Sequence, residues 1–280
     1  MTDDQRSQAE ELADDELDLD ALEAEDGVVR KAPSCAALNS KGPAVGTRER
    51  SRAKKEITTE QLAQLLHFDR QALAGNWKNK VEVVIGTDEV GRGCLAGPVM
   101  ACAVVLPEID PSSELGWQLA RLNDSKQVNP NVRAELATIL RGVCQFAIGE
   151  ASVAEIDEIN ILHASLLAMK RAVRRLKLVA PAVILVDGNK KITSVRNIEQ
   201  MTVIDGDTKS ASIAAASIIA KVHRDAFMTK LARKFPHYAW ESNKGYRSRD
   251  HWEALNKHGM CEWHRRTFVD HWLTEGKPED

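Results

Sequence analysis

Residues 81–98 have the sequence VEVVIGTDEVGRGCLAGP, in which an apolar stretch runs directly into two carboxylates and then into glycines. The apolar side chains of residues 81–85 predict a short buried strand. Asp88 and Glu89 fall at the end of this strand, where side chains project beyond the sheet into solvent or a cleft. Two acids in that position suit a hard cation. The stretch therefore predicts both a core strand and a place where chemistry could begin.

The segment after these acids has little side-chain bulk. Gly91 and Gly93 flank Arg92, so backbone N–H groups can approach a ligand closely while one guanidinium reaches a phosphate. A hairpin turn with a solvated charge pair has the same pattern, because acidic pairs followed by glycines are common in loops. This stretch alone leaves the cation site and the hairpin turn as equal alternatives.

Length and composition exclude several protein classes. The 280 residues allow one large domain with an appendage, or two domains, and the 43% hydrophobic content can supply a core. No run approaches the roughly 18 to 20 apolar residues of a membrane span, and the acidic N-terminus has no apolar signal region. Five scattered cysteines without a C-x-x-C pair argue against a disulfide framework and a zinc site. We expect a cytoplasmic protein with reduced thiols.

Charge is divided unevenly along the chain. Residues 1–30 hold twelve acids against two arginines, so the rest of the chain is net positive although the whole is at −3. Such an excess is compatible with a polyanionic partner but does not require one. We predict an acidic disordered extension and linker over residues 1–55, ending in the basic cluster RERSRAKK, and a folded domain over 56–275.

Apolar periodicity beyond residue 57 predicts an α/β fold. A short helix is followed by three strands that would pair antiparallel, then by a long amphipathic helix, and then by two more strands and a second long helix. In chain order, we predict helix 58–76, strands 81–87, 98–107 and 145–152, a helix from Val153, strands 182–187 and 201–207, and helix 208–235.

Three strand ends deliver carboxylates. Asp187 ends the continuous apolar strand AVILVD, and Asp205 and Asp207 follow the strand that begins at Met201. Taken singly, Asp187 would be a turn residue and Asp207 the N-cap of the helix that follows. Because sheet enzymes place sites at the carboxyl ends of strands, three such ends favour a shared site.

An all-oxygen set selects the metal. The four acids are Asp88, Glu89, Asp187 and Asp207, and no histidine or cysteine lies at ligand spacing. Such a set favours Mg²⁺ or Mn²⁺ over zinc, and four carboxylates could hold two ions about 3.5 to 4 Å apart, as in phosphodiester displacement. The substrate is then expected to be a phosphodiester.

A series of motifs in order over residues 60–270 resembles the bacterial ribonuclease HII family, the type 2 ribonucleases H. The motifs are IGTDEVGRG, LAGPV, NDSK, INILHASLLAMKRAV, ILVDGN, the GD of IDGDTK, AASIIAKVHRD, KGY and HRRTF. The resemblance implies a ribonuclease H-like α/β fold: a central mixed five-stranded sheet flanked by helices, with a C-terminal helical substrate-binding segment over about 235–275. It also implies that the same four acids are the catalytic metal ligands and that Asp205 is only a neighbour.

The resemblance further implies how the substrate is held. Gly91, Arg92 and Gly93 would grip the sugar-phosphate at an RNA-to-DNA junction and read the 2′-hydroxyl, and Tyr246 would pack on the deoxyribose of the DNA side. Lys126, Lys221, Arg224 and Lys244 would contact phosphates, although each could also be a solvated charge. Three positions depart from the family pattern: Cys94 and Arg247, where many relatives have proline, and Ala214, where they have serine.

The activity that the resemblance implies is endonucleolytic hydrolysis, with Mg²⁺ or Mn²⁺, of the phosphodiester 5′ of a ribonucleotide. The substrates would be RNA/DNA hybrids or ribonucleotides embedded in duplex DNA, the products would carry 3′-hydroxyl and 5′-phosphate ends, and the protein would act as a monomer. Two alternatives remain at this stage. One is a resolvase- or integrase-like nuclease that cuts all-DNA substrates, and the other is a binder of RNA/DNA hybrids that has no activity.

Overall fold

The computed structural model describes residues 58–275 except 194, 196 and 197. The predicted disordered extension and linker over 1–55 lie outside the described residues. Five strands form one sheet with the order β3-β2-β1-β4-β5. They are β1 (Val83–Val90), β2 (Val99–Val105), β3 (Gln145–Ala151), β4 (Ala182–Asp187) and β5 (Glu199–Val203).

Helices cover both faces of this sheet. Within the described ranges they are α1 (Glu60–Leu73), α2 (Glu114–Gln118), α3 (Pro130–Val143), α4 (Val153–Arg175), α5 (Ala211–Lys234), α6 (Trp240–Asn243), α7 (Arg249–His258) and α8 (Arg266–Glu275), with 3₁₀ turns at Gly206–Thr208 and Pro236–Tyr238. Of the helices between residues 58 and 275, none combines the length and the hydropathy needed to cross a bilayer.

Strand pairing makes the sheet mixed and brings two acid-bearing strand ends together. β1 pairs antiparallel with β2, and β2 with β3, which confirms the predicted antiparallel strands. β4 pairs parallel with both β1 and β5. Thr87 of β1 lies opposite Val186 of β4, so the residues that follow them, Asp88 and Asp187, lie side by side in neighbouring strands.

Two apolar cores lie on the two faces. The small side chains of α5 pack with α1, α3 and β2 on one face, and α4 packs against β1, β2 and β4 on the other. At Gly86 of β1, a Cβ would overlap the backbone of Ser212 and Ile213 at the start of α5. Glycine therefore lets the N-terminus of α5 lie directly on the strand that carries Asp88.

The start of α5 differs from the sequence prediction. The helix begins at Ala211 instead of Thr208, and its N-cap is Ser210, whose Oγ accepts a hydrogen bond from the Ile213 N–H at 3.2 Å. The prediction that Asp207 is the cap is therefore wrong. Asp205 adopts a left-handed conformation (φ 52°) and starts a 3₁₀ turn that carries Asp207 ahead of the helix.

Two other helices differ from the patterns in the sequence. The predicted apolar stripe along α4 is interrupted at Asn160, whose φ of 63° breaks the helical phase, and the buried residues after it include Ala164 and Ala168. Helix α3 was not predicted. Its signal was Asn129 followed by Pro130: the Asn129 side chain caps the helix by accepting from the Asn131 N–H, and proline is favoured in the first turn.

Candidate active site

The four predicted acids lie at one edge of the sheet, which we call the acid edge: Asp88, Glu89, Asp187 and Asp207. The first two lie near the end of β1, which continues to Val90, Asp187 ends β4, and Asp207 lies in the 3₁₀ turn after β5. The Gly206 N–H donates to Asp187 Oδ1 at 2.8 Å, so the turn that carries Asp207 is tied to the end of β4.

Asp88 is the most buried member of the acid edge. Its side chain accepts a hydrogen bond from the Glu89 N–H at 2.7 Å, and the residue is 7% exposed. Burial raises its pKa well above the usual range, and the charges of Glu89, Asp187 and, less strongly, Asp207 add to this rise, which a hydrogen bond from Ser217 opposes. These three carboxylates are therefore close enough to repel Asp88.

Glu89 has a cationic partner. Burial raises the pKa of its carboxyl group, while the Arg92 guanidinium, 3.0 Å away, opposes the rise. Arg92 is the exposed member of this pair, with its side chain 51% exposed. Glu89 is thus neutralised by a residue that is itself predicted to meet phosphate.

Asp207 lies beside an acid that the sequence prediction did not include. Burial raises the pKa of Asp207 to about 6, and Asp124, Asp187 and a hydrogen bond between the Asp207 and Asp124 carboxyl groups contribute, against the charge of Lys126. Asp124 belongs to the NDSK motif, from which only Lys126 was selected. An acid in a motif that already supplies a lysine was the signal that could have indicated it.

A divalent cation fits the acid edge in charge and donor chemistry. Carboxylate oxygens are the ligands that Mg²⁺ and Mn²⁺ prefer, and a cation would relieve the repulsion that raises these pKa values. Among the residues the structure describes, however, no group of three or more His, Cys, Asp or Glu side chains is arranged to hold a metal ion. Each carboxyl group instead has a partner within the protein.

Helix α1 stabilises the segment next to the acid edge. Asp69 accepts hydrogen bonds from the Ser210 hydroxyl at 2.5 Å, from the Ser212 N–H at 2.8 Å and from the Ser212 hydroxyl. Burial raises the pKa of Asp69, and these hydrogen bonds oppose the rise. A buried carboxyl group therefore fixes the start of α5, directly after the turn that carries Asp207.

Residues 91–98, which we call the glycine loop, follow the acids. Gly91 is buried and has a φ of +91°, and a Cβ on it would overlap the Arg224 guanidinium, whereas Gly93 is exposed. Arg224 itself is fully buried. Its predicted phosphate contact is wrong for this arrangement, because each of its three guanidinium nitrogens donates to a backbone carbonyl and none reaches the surface.

A second buried arginine also holds this loop. Arg265 is fully buried, donating to the Gly97 carbonyl through Nε and Nη2 at 3.0 and 2.8 Å and to the Arg92 carbonyl through Nη1 at 2.9 Å. Burial lowers its pKa to about 10. It belongs to the HRRTF motif but was not selected from the sequence, because nothing local tells a buried arginine from an exposed one.

Residues 243–247, which we call the tyrosine turn, lie against the glycine loop. The Tyr246 ring has Lys221 Nζ 5.4 Å and Arg224 Cζ 5.9 Å from its centre. Burial raises the pKa of Tyr246 to about 12, with a further contribution from the Cys94 thiol. Tyr246 is partly exposed, so one part of its ring remains available.

The three predicted phosphate-binding lysines differ in their surroundings. Lys126 is exposed beside Asp207. Lys221 Nζ donates to Asp225 Oδ1 at 2.7 Å, and Lys244 Nζ donates to Thr229 Oγ1 at 2.6 Å. Lys126 is thus exposed close to the acid edge, while Lys221 and Lys244 have partners within the protein.

The three departures from the family pattern leave the acids untouched. Cys94 is a buried residue of the glycine loop, and its Sγ lies 3.9 Å from the Lys244 carbonyl oxygen of the tyrosine turn. Ala214 belongs to α5, and its methyl group is buried in the apolar core. Arg247 is exposed at the end of the tyrosine turn.

Comparison with known sequences gives one consistent match. The family model described as Ribonuclease HII matches residues 85–275. The Ribonuclease HII of Pelagibacter ubique is 46% identical over 188 residues, which cover 67% of this chain and 96% of the relative. The Ribonuclease HII of Bacteroides fragilis is 49% identical over 193 residues, which cover 69% of this chain and 92% of the relative. Helix α1, which supplies Asp69, lies before the residues that the family model matches.

Solved structures share the fold. The chain is similar to the structure of the PCNA:RNase HII complex from Archaeoglobus fulgidus, with a TM-score of 0.55 and 25% identity over 66% of this chain and 94% of the other. It is also similar to ribonuclease H2 from Pyrococcus horikoshii, with a TM-score of 0.53 and 27% identity over 66% and 93%. Bst-RNase HIII in complex with Mn²⁺ has a TM-score of 0.54 at 18% identity and supports the fold alone.

Proposed function

The chain belongs to the ribonuclease HII family and is a ribonuclease H hydrolase, and we propose that it cuts on the 5′ side of a ribonucleotide. The substrates would be RNA/DNA hybrids and duplex DNA with embedded ribonucleotides, and the products would carry 3′-hydroxyl and 5′-phosphate ends. The observation that carries this proposal is that the glycine loop follows directly from the acid edge and that the tyrosine turn lies against the same loop. One short surface can therefore bind a junction and cut beside it.

Asp88, Glu89, Asp187 and Asp207 are the residues that would hold Mg²⁺ or Mn²⁺, with two ions during catalysis. The Mn²⁺ in the structure of Bst-RNase HIII belongs to that protein, which shares this fold. When bound, divalent cations at an all-carboxylate site lower the pKa of water and stabilise negative charge on phosphate oxygens. Water is then the nucleophile, and no side chain has to attack the phosphate.

The protein's own groups position this chemistry. Asp88 is held by the Glu89 N–H, and Asp187 by the Gly206 N–H, so both carboxyl groups have fixed orientations before substrate arrives. Arg92 can exchange its ion pair with Glu89 for one with a substrate phosphate, which would free Glu89 for a cation. The approach of the substrate and the assembly of the cation site are then linked through one exposed guanidinium.

Recognition would be divided between the two neighbouring segments. The glycine loop can approach the 2′-hydroxyl closely at Gly93, where a Cβ would meet nothing within 4 Å. Tyr246 would cover the deoxyribose of the next nucleotide. Lys126, Lys221 and Lys244 would contact phosphates. In the cell this activity would serve ribonucleotide excision and the removal of RNA primers.

A cleavage assay tests the proposal. A DNA duplex with one internal ribonucleotide and the matched all-DNA duplex are incubated with Mg²⁺, Mn²⁺ or EDTA, with Asp88→Asn as the control protein. We expect a metal-dependent nick on the 5′ side of the ribonucleotide only, lost in the variant. Cleavage of the all-DNA duplex would instead favour a resolvase-like nuclease, and binding without cleavage of either duplex would favour a binding protein.

A further inference from the structure

Arg224 joins two segments that are far apart in sequence. Its Nε donates to the Pro98 carbonyl at 3.2 Å and its Nη2 to the Ala96 carbonyl at 2.9 Å, both in the glycine loop. Its Nη1 donates to the Lys244 carbonyl at 3.0 Å, in the tyrosine turn. One guanidinium therefore fixes the spacing between the loop and the turn.

The two segments also touch each other directly, backbone against backbone. The Leu95 N–H donates to the Gly245 carbonyl at 2.7 Å. Gly245 has a φ of +81°, and a Cβ on it would lie 2.7 Å from the Ala96 carbonyl oxygen. Because the backbones approach this closely, a guanidinium of fixed geometry can reach carbonyls in both of them.

Burial and shape make arginine necessary at this position. The side chain is fully buried, and its Cζ lies 5.9 Å from the centre of the Tyr246 ring. A guanidinium offers five N–H donors in a rigid plane, whereas an ammonium is a compact group that cannot reach three separate carbonyls at once. Lysine would keep the charge and lose the bridge.

We propose that Arg224 is a positioning residue that sets the distance between the segment reading the ribose and the tyrosine reading the deoxyribose, and thereby the preference for an RNA-to-DNA junction. This inference rests on the proposed function, in which those two segments are the readers. Arg265 differs in this respect, since its side chain donates hydrogen bonds to the Gly97 and Arg92 carbonyls, both in the glycine loop. These side-chain hydrogen bonds do not extend to the tyrosine turn. Arg224 is accordingly the residue whose change should alter the spacing.

The test compares two substrates in Arg224→Lys. We measure kcat/KM for a DNA duplex with one embedded ribonucleotide and for a uniform RNA/DNA hybrid, well below the Tm of the variant. We expect the ratio of the two values to fall about tenfold, because loss of the bridge removes about the free energy of one hydrogen bond from recognition of the junction. A purely structural role would lower Tm and reduce both rates equally, without a change in the ratio.

Arg171→Lys is the matched control. Arg171 also donates to a backbone carbonyl, that of Glu150 at 2.7 Å, but it does so from α4, on the opposite face of the sheet. We expect it to keep the wild-type ratio. If wild-type protein cuts both duplexes equally, the junction reading fails and this inference fails with it. If wild type prefers the junction and Arg224→Lys keeps that preference, only this inference is overturned.

Hydrogen exchange of the wild-type protein replaces the variant if Arg224→Lys does not fold. In EDTA, where cleavage is blocked, we add the duplex with one ribonucleotide and follow the amides of residues 92–97 and 243–247. We expect both segments to gain protection together, and to a smaller extent with the all-DNA duplex. Protection of one segment without the other would overturn the proposal.

Discussion

The acid edge and the glycine loop adjoin each other but are held in opposite ways. Asp88 and its neighbours repel one another, and burial adds to the cost of their charges. The glycine loop is instead held by donated hydrogen bonds, from Arg224 to Ala96 and Pro98 and from Arg265 to Gly97 and Arg92. One region is under electrostatic strain, and the other is satisfied within the protein.

In the proposed function, the glycine loop binds substrate and the acid edge binds the cation, and the two regions are held differently. A loop with four carbonyls held by two buried arginines is preorganised, so we expect substrate binding to need little rearrangement there. In the proposed function, the acid edge needs an added positive charge before it can act. We therefore expect duplex binding and turnover to respond differently to changes in the two regions.

Asp187→Asn should have the largest effect and should fall on turnover alone. The amide keeps an oxygen that can accept from the Gly206 N–H, so the fold is preserved, but the negative charge that would hold a cation is lost. We expect kcat to fall by about three orders of magnitude. Gel-shift titration of the junction duplex in EDTA should give an unchanged Kd.

Asp205→Asn is the control for that change. Asp205 is the exposed neighbour of Asp207, and asparagine tolerates its left-handed conformation. We expect wild-type kcat. Near-normal turnover in Asp187→Asn would remove Asp187 from the catalytic site and leave it as the residue that ties the turn to β4.

Added cation should stabilise the protein in a pH-dependent way. The pKa of Asp207 is raised to about 6. The free energy of unfolding of the metal-free protein therefore falls as the pH rises through that value and Asp207 ionises. Mg²⁺ or Mn²⁺ at a hundredfold excess over its Kd should restore about 2.7 kcal/mol at pH 7.5. At pH 5.5, protons compete for the same oxygens and the shift in Tm should be smaller.

Thermal melts with and without the cation measure this difference. Asp88→Asn removes one of the repelling charges, so its metal-free Tm should rise above that of wild type and its response to cation should weaken. An equal shift at both pH values, or none in the wild type, would contradict the assignment of the acid edge as the cation site.

Local pattern was enough to predict the strands and that the acids lie near their ends, and it failed where the partner is distant. β1 and β4 each show an apolar run that ends on a carboxylate, and the parallel register brings these two carboxylates together. The N-cap of α5 could not be chosen locally between Asp207 and Ser210. Ser210 caps the helix with its hydroxyl bonded to Asp69, which lies 141 residues earlier in the chain.

The roles of the arginines show the same limit. Arg224 and Lys221 lie in one motif and both were predicted to contact phosphate, yet Arg224 is buried under two loops that are far apart in sequence. Asp124 contributes to the raised pKa of Asp207 through a contact that only the fold creates, although its place in the NDSK motif was a signal. Residue type and order indicated candidate groups, while burial showed whether each side chain reaches the surface.

Tyr246→Ala tests the recognition side at a smaller scale. Loss of the ring should lower kcat/KM for the junction duplex about tenfold, which is ~1.4 kcal/mol, through lost packing against the sugar. Tyr246→Phe keeps the ring and loses only the hydroxyl, which lies near Cys94. We expect Tyr246→Phe to stay close to wild type. Steady-state kinetics in which Tyr246→Ala matches the wild-type protein would exclude the tyrosine as a reader.

The smallest predicted effect concerns the histidines behind the tyrosine turn. His264 Nδ1 accepts from the Cys261 N–H at 3.0 Å, His264 Nε2 lies 3.1 Å from His251 Nε2, and His251 Nδ1 lies 3.0 Å from the Tyr246 carbonyl oxygen. A chain of two neutral imidazoles satisfies these contacts, with His264 donating to His251 and His251 donating to Tyr246. An added proton on His264 would have to face the Cys261 N–H.

Stability should therefore fall on acidification, the opposite sign to the metal-free acid edge. Burial, with His251 nearby, lowers the pKa of His264 to about 4, so between its ordinary value of 6.5 and 4 the unfolded chain takes up a proton that the fold refuses. This group should cost up to about 1.4 kcal/mol of unfolding free energy per pH unit in that window. Urea unfolding at pH 7.0 and 5.5 measures the loss, and His264→Gln should flatten it. If the free energy of unfolding falls equally steeply in His264→Gln, protonation of His264 is not the cause of the loss.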